Sequence, residues 1–201
     1  MLTKIRLKAA WLAVPVYLLL AQPTVRLILI GAVLALLGAL IRAWAAGAIH
    51  KNQVLTTHGP YAFTRNPLYL GTFLIGLGFV VASGRLSFLL VFLLFFGLIY
   101  VRAMGSEESR LERTFGDDFR RYAAAVPRFF PRLARWSDVM GETSPAGRAT
   151  ATAAGAASPA APAAGEASRA FRFERYVANG EYQTILGLGA MFLLLAVKLV
   201  V

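Results

Sequence analysis

The stretch Leu89–Leu98 reads LLVFLLFFGL and has no polar face to offer water. A helix that is apolar all round belongs in a protein core or a bilayer. It is one of five uncharged runs: Ala9–Thr24, which contains Pro15, then Leu27–Ile41, Leu68–Gly84, Leu86–Val101 and Tyr182–Val197. The second is expected to continue past Arg42 towards Ile49, and the fifth past Lys198 to Val201. Their lengths lie near the lower limit of about 17–25 residues for a spanning helix, and Lys or Arg near an end can snorkel to extend them. Apolar residues make up 58% of the 201-residue chain and charged residues 15%. Typical globular chains have about 45–50% and about 25%. These features predict an all-α, polytopic transmembrane helical bundle of about five spans.

The net charge of +11 is then a topology signal rather than a nucleic-acid footprint, and no nucleic-acid-binding motif accompanies it. With the N-terminus in the cytoplasm, Arg26, Arg85 and Lys198 fall outside, and the other 18 of the 21 basic residues fall at cytoplasmic ends or loops. Lys4, Arg6 and Lys8 precede an apolar run as in a signal peptide, but no small-x-small cleavage site follows, so an uncleaved first helix is expected. The loops at Gln22–Arg26 and Gly84–Arg85 are short enough for tight antiparallel hairpins. Cysteine is absent and the histidines are two, His50 and His58, so no metal site is expected. The organisation predicted is a membrane core over 1–136, an Ala/Pro/Gly-rich flexible linker over 137–170, and a C-terminal transmembrane helix over 171–201 led by a short amphipathic stretch, Phe171–Glu181. Abundant Arg and Ala with little Lys hint at a GC-rich bacterial genome, and with the spans this makes a bacterial inner membrane the expected location.

Two polar blocks emerge on the cytoplasmic face, separated by two crossings, and can meet. The first is LTTHGPYAFTRNPLYLG from Leu55 to Gly71. Gly59-Pro60 marks a turn. Asn66-Pro67 suits a helix start, with Asn66 as N-cap and Pro67 at the first helical position, which puts Arg65 beside backbone N–H groups able to hold an anion. Simple capping by Asn66, with Arg65 on lipid phosphates, is the plainer alternative. The second block starts Gly105-Ser106-Glu107-Glu108, where Ser106 is expected to cap a new helix carrying both acids in its first turn. Those carboxylates serve either as capping charges or as receivers of a ligand's ammonium and hydroxyl groups, since acids beside a span are costly unless paired or used. Arg110, Arg113, Arg120 and Arg121 on the same helix suit lipid headgroups.

GPYAFTRNPLYLG, an apolar hairpin, then EESRLERTFGDDFRRYAAAVPRFFP resembles the isoprenylcysteine carboxyl methyltransferase and phospholipid methyltransferase superfamily of integral membrane enzymes that use S-adenosylmethionine. The resemblance spans Leu55 to Pro131 and rests on the order and spacing of pieces that are individually weak. It implies a cytoplasmic cofactor pocket, with the binding segment at Arg65, Asn66, Pro67, Tyr69 and Gly71, a glycine pair at Gly76 and Gly78, and an acidic pair at Glu107 and Glu108. Two positions depart from the family pattern: its histidine is Asn66 here, and a customary tyrosine is Phe119, while Tyr122 is kept. Asn66 can hydrogen-bond but cannot serve as a base.

The residue chemistry agrees with that cofactor. Glu107 or Glu108 suits an ammonium or ribose hydroxyls, and Arg65 or Asn66 suits a carboxylate. Tyr61, Tyr69 or Phe129 suits adenine or a sulfonium cation. The glycines permit close approach, although in membrane helices they commonly serve packing. A lipid-like or prenylated acceptor would enter from the bilayer. Its carboxylate would need a cation, for which Arg128 and Arg42 are the catalytic candidates, with snorkelling as the other explanation of Arg42. An amine acceptor would need a proton route, for which His58 is a candidate. A non-catalytic membrane protein of the same fold, binding a lipid or partner, is the alternative that Asn66 motivates.

Overall fold

The computed structural model describes residues 14–49, 55–132 and 173–200. The expected linker over 137–170 and most of the N-terminal lead of the first span lie outside the described residues. Every regular element among the described residues is helical. Residues 14–20 form α1. They are followed by α2 (Val25–Ala48), a 3-10 turn (Gly59–Ala62), α3 (Pro67–Ala82), α4 (Ser87–Phe115), α5 (Asp117–Ala125), α6 (Phe173–Ala178) and α7 (Tyr182–Val200).

Three of these, α2, α4 and α7, are long and apolar enough to cross a membrane. The 16 residues of α3 are apolar but rise only about 24 Å at 1.5 Å per residue, short of the roughly 30 Å hydrocarbon layer. Large side chains along the three long helices stand open, among them Leu29, Leu36, Leu90, Leu94, Leu186 and Leu193. Apolar surface on that scale is unsustainable in water and is satisfied by lipid tails. The protein is therefore an integral membrane protein. The sequence expectation that α2 continues past Arg42 holds, since the helix ends at Ala48.

Two compact units make up the chain. The apolar unit contains residues 14–40, 71–101 and 182–200. Here α2 and α3 cross so closely that a Cβ on Gly31 would strike the Gly78 carbonyl, and one on Gly38 would meet the Gly71 carbonyl. Ala35, nearly fully buried, completes the seam. Small residues let helix backbones approach where lipid gives no hydrophobic drive to pack. A Cβ on Gly76 would strike the ring of Phe92, which belongs to a ladder of Phe73, Phe92, Phe96 and Tyr100. Ala21, Ala82 and Leu195 form the buried centre, with Tyr17 and Phe192 against it. The two short hairpin turns join where the Gln22 N–H donates to the Ser83 carbonyl at 2.7 Å. Gly84 sits there at φ +68°, a backbone conformation suited to glycine. Lys198 donates to the carbonyls of Leu18 and Leu19, capping the end of α1.

The polar unit contains residues 41–49, 55–70, 102–132 and 173–181. Its buried centre is Phe119, Tyr122 and Val126, packed with Leu55, Leu111 and Phe115. The spacing of three and four residues puts that apolar set on one face of α5 and its exit. One expectation is corrected here: no new helix begins at Ser106, because α4 runs unbroken to Phe115. The hydroxyls of Ser106 and Ser109 bond back to the carbonyls of Ala103 and Gly105, which lets serine sit inside a helix. A Glu107–Arg110 pair one turn apart adds local support. The break comes ten residues later at Gly116, at φ +52°, after which Asp117 and Asp118 occupy the first turn of α5.

The α2–α3 seam leaves no room for side chains, so Gly78→Leu is expected to destabilise the protein by about 1–3 kcal/mol or more. Gly187→Ala, where a Cβ meets nothing within 4 Å, should change stability by less than about 0.5 kcal/mol. Thermal unfolding of the two detergent-purified variants checks the contrast, and equal midpoints would refute the tight crossing.

Candidate functional site

The two polar blocks meet within the polar unit. Residues 63–66, entering α3, lie against residues 127–132, leaving α5. The Arg65 N–H donates to the Pro127 carbonyl and the Arg132 N–H to the Phe63 carbonyl, both at 2.9 Å. Side chains reinforce the pairing. The Thr64 hydroxyl donates to the Phe129 carbonyl at 2.9 Å, and the Asn66 amide donates to the Arg128 carbonyl at 3.0 Å. One turn earlier, the Tyr122 hydroxyl donates to the Tyr61 carbonyl at 2.7 Å. Extended backbone at Val126, enforced by the proline that follows, turns the chain out of α5 and into this pairing.

That arrangement fixes three charges around one point. The Glu108 carboxylate lies 3.3 Å from the Arg65 guanidinium through one oxygen and 3.2 Å from the Arg128 guanidinium through the other. Arg65 and Glu108 are largely buried and Arg128 is half-buried. A Cβ at Gly105 would come within 3.3 Å of an Arg128 nitrogen, so glycine there lets Arg128 lie close to α4. The Arg65–Glu108 contact is a charge contact without hydrogen-bond alignment: Glu108 Oε1, Arg65 Nε and Arg128 Nε are buried with no hydrogen-bond partner. They line a cleft of about 560 Å³ together with Ser109, Phe119 and Ala123. Small-molecule sites have about 300–1,000 Å³ and a few convergent polar groups. Two guanidiniums against one carboxylate leave the cleft wall positive, with an acceptor and donors available to a zwitterionic ligand.

The sequence-derived candidates separate into groups. Arg65, Glu108 and Arg128 converge on the cleft. Asn66 is buried at the N-cap position of α3, yet its amide donates to the VPRFFP segment. Pro67 is fully buried behind it. Glu107, one residue from Glu108 but about 100° around the helix, is half-buried, lies outside the lining of the cleft and pairs with Arg110 at 2.6 Å. Arg120 pairs with Glu112 and Asp117, and Arg121 with Asp118, all exposed. Gly71, Gly76 and Gly78 lie in the apolar unit at its helix contacts. Arg42 holds Glu181 in a two-pronged pair, at 2.9 Å from Nε and 2.6 Å from Nη2. His58 precedes the 3-10 turn and is partly buried. No group of three or more His, Asp or Glu among the described residues could hold a metal ion.

Thr64, Tyr122 as a donor, and Glu181 escaped the sequence reading. Glu181 left a signal: an acid at the very start of an apolar span is costly unless paired. Thr64 and Tyr122 left none, because their partners are backbone carbonyls about 60 residues distant.

Burial holds the Tyr61 phenol above its ordinary value near 10. The Glu107 and Glu181 carboxylates push the same way, the Arg42 guanidinium opposes them, and Tyr69 is a further neighbour. Burial, with Tyr61 beside it, also raises Tyr122 against the opposing pull of Arg65. Both are protonated in the fold at pH values where an unfolded tyrosine, with a pKa of about 10, has ionised. The folded state then binds more protons than the unfolded state, so stability is full below about pH 10 and falls as pH rises above it. Alkaline titration is expected to show tyrosinate absorbance from these two phenols only as the protein unfolds. Their ionisation in a still-helical protein near pH 10 would contradict this.

The phospholipid methyltransferase family model matches residues 25–118. The chain is 38% identical over 109 residues to the nickel-cobalt-cadmium resistance protein NccN of Alcaligenes xylosoxydans xylosoxydans, covering 52% of this chain and 48% of that one. It is 37% identical over 107 residues to the cobalt-zinc-cadmium resistance protein CzcN of Cupriavidus metallidurans, with the same coverage of 52% and 48%. It is 33% identical over 84 residues to the protein-S-isoprenylcysteine O-methyltransferase of Schizosaccharomyces pombe, covering 42% of this chain and 36% of that enzyme. The chain thus spans about half the length, or less, of these relatives. No solved structure matches. The matched region contains Arg65, Asn66, Glu107 and Glu108 and both helices of the glycine seam, and it supports the resemblance to the superfamily of membrane methyltransferases that includes the phospholipid and isoprenylcysteine carboxyl methyltransferases.

Proposed function

We propose that the protein is an S-adenosylmethionine-dependent membrane methyltransferase acting on a lipid-like acceptor, either an isoprenylcysteine-type carboxylate or a phospholipid-type amine. One observation carries the reading: Arg65 from the first polar block and Glu108 and Arg128 from the second line one cleft of about 560 Å³ with buried, unpartnered polar atoms. The donor set fits the cofactor. Arg65 and Arg128 suit its carboxylate, and Glu108 suits its ammonium or ribose hydroxyls. When bound, the cofactor would supply an electrophilic methyl group on a sulfonium. The protein's part is to orient the cofactor and to exclude water, which in such a displacement supplies most of the effect. Asn66, Thr64 and Pro67 hold the Arg65 segment in place, while Gly76 and Gly78 are accounted for by helix packing.

The same reading sets the chain in a bacterial inner membrane with about five crossings and with the N-terminus and cleft on the cytoplasmic side, as the distribution of basic residues favours.

Asn66 favours a second reading, a non-catalytic lipid- or partner-binding protein of the same fold. Its side chain is neutral, buried and engaged with the Arg128 carbonyl, where family members carry histidine. Turnover by the unmodified protein dismisses this reading. An inert parent beside an active Asn66→His variant supports it.

The direct test is calorimetric titration of the detergent-purified protein with S-adenosylhomocysteine. Saturable binding is expected. Glu108→Gln should weaken it about tenfold or more, as loss of a charged hydrogen bond does. Glu107→Gln should weaken it less, because Glu107 pairs with Arg110 and does not line the cleft. Absence of binding in a folded wild type would refute the reading.

A further inference from the structure

The Glu108 carboxylate only partly satisfies the two guanidiniums around it. It gives one oxygen to each, Oε1 to Arg65 Nη1 at 3.3 Å and Oε2 to Arg128 Nη2 at 3.2 Å. Neither contact uses the Nε–H edge of its arginine. Glu108 Oε1, Arg65 Nε and Arg128 Nε are left buried without a hydrogen-bond partner. All three residues line the cleft of about 560 Å³. An arginine binds an anion most strongly through Nε and Nη together, as a fork filled by two oxygens. Beside this cleft two such forks stand unfilled.

Charge points the same way. The cleft wall carries Arg65, Arg120 and Arg128 against Glu108 and Glu112. Arg120 is already engaged by Glu112 at 2.9 Å and by Asp117 at 3.1 Å. Arg65 and Arg128 therefore share Glu108, two positive charges against one. A carboxylate has two oxygens, enough to fill one fork side-on. A phosphomonoester presents three acceptor oxygens and carries nearly two negative charges near neutral pH, so it can bridge both forks and balance both charges. Arg128, at 40% exposure, is within reach of an anion arriving from solvent. The missing side chain at Gly105 leaves space on its other flank, where a Cβ would come within 3.3 Å of Arg128 Nη2.

We infer that Arg65 and Arg128 form an oxyanion seat for a phosphomonoester group, that Glu108 is the built-in competitor for this seat, and that a phosphate bound there excludes the cofactor. The exclusion rests on the methyltransferase reading, since both ligands would use the same guanidiniums; the seat itself does not. Glu108 then acts in opposite senses on the two ligands. It attracts the ammonium or hydroxyls of the cofactor and repels a phosphate, which tunes one cleft against phosphorylated compounds.

The test uses the full detergent-purified chain and follows inorganic phosphate by phosphorus NMR line broadening. Saturable binding is expected in the wild type, and acetate at equal concentration should not displace it. Glu108→Gln should bind phosphate about tenfold more tightly, since the competing charge is gone, while it binds S-adenosylhomocysteine more weakly. Asp118→Asn removes an equal charge from an exposed pair outside the cleft lining and should leave the phosphate affinity unchanged. Adding Arg128→Gln to Glu108→Gln should abolish the gain. Absence of phosphate binding, displacement by acetate as effective as by phosphate, or a Glu108→Gln affinity no tighter than that of Asp118→Asn would overturn the inference. If Glu108→Gln fails to fold, the wild-type preference for phosphate over acetate and its loss in Arg128→Gln decide. In nanodiscs, displacement of bound phosphate by phosphatidic acid identifies a lipid headgroup as the source, and retention identifies a soluble phosphomonoester; the seat stands in both cases. Binding of phosphate without S-adenosylhomocysteine sinks the methyltransferase reading alone, and the reverse result sinks this inference alone.

Discussion

Irregular backbone beside membrane-spanning helices must find partners for its own N–H and C=O groups, and in this chain two such stretches satisfy each other. Residues 63–66 and 127–132 exchange backbone hydrogen bonds through the Pro127 and Phe63 carbonyls, and Thr64 and Asn66 add side-chain bonds to the Phe129 and Arg128 carbonyls. Neither stretch forms a helix or sheet, so each depends on the other for satisfaction. The position of Arg65 relative to Glu108 and Arg128 follows from that pairing. So does the cleft, because its walls are the polar end of α4, the inner face of α5 and the chain leaving α5.

Charge is handled in two ways in the polar unit. On the exposed faces of α4 and α5, carboxylates pair with arginines three residues along or across the break at Gly116. Pairs so open to solvent contribute little to stability. The sheltered charges are different. Glu108 sits between two guanidiniums, and Glu181 is gripped by one. Sheltered ions persist where they are paired or where they meet a ligand. The distinction separates Glu107 from Glu108, neighbours in sequence whose surroundings differ because the helix turns about 100° between them.

Much of the architecture was legible in residue pattern. The continuous apolar run of α4, the reach of α2 beyond Arg42, the start of α3 at Asn66-Pro67 and the turn at Gly59-Pro60 are local consequences of composition, capping and proline geometry. The family resemblance across Leu55–Pro131 was legible for a similar reason: motif order survives where overall identity is modest. The predicted helix start at Ser106 failed because a serine that would cap a free end can equally bond back to the preceding turn when the helix continues. Glycines offered for cofactor contact turned out to sit at helix crossings, where the lack of a Cβ serves packing.

The sequence by itself determined that this is a membrane-embedded helical protein, because lipid as solvent imposes long apolar helices that can be read residue by residue, and its motif order carried the resemblance to membrane methyltransferases. Only the tertiary structure decided which polar groups share a site. Glu108 rather than Glu107 faces Arg65, Asn66 serves the VPRFFP segment, and Arg42 holds an acid 139 residues away. These are contacts between distant parts of the chain, set by helix phase and by pairing of irregular backbone, and neither leaves a periodic signature in sequence.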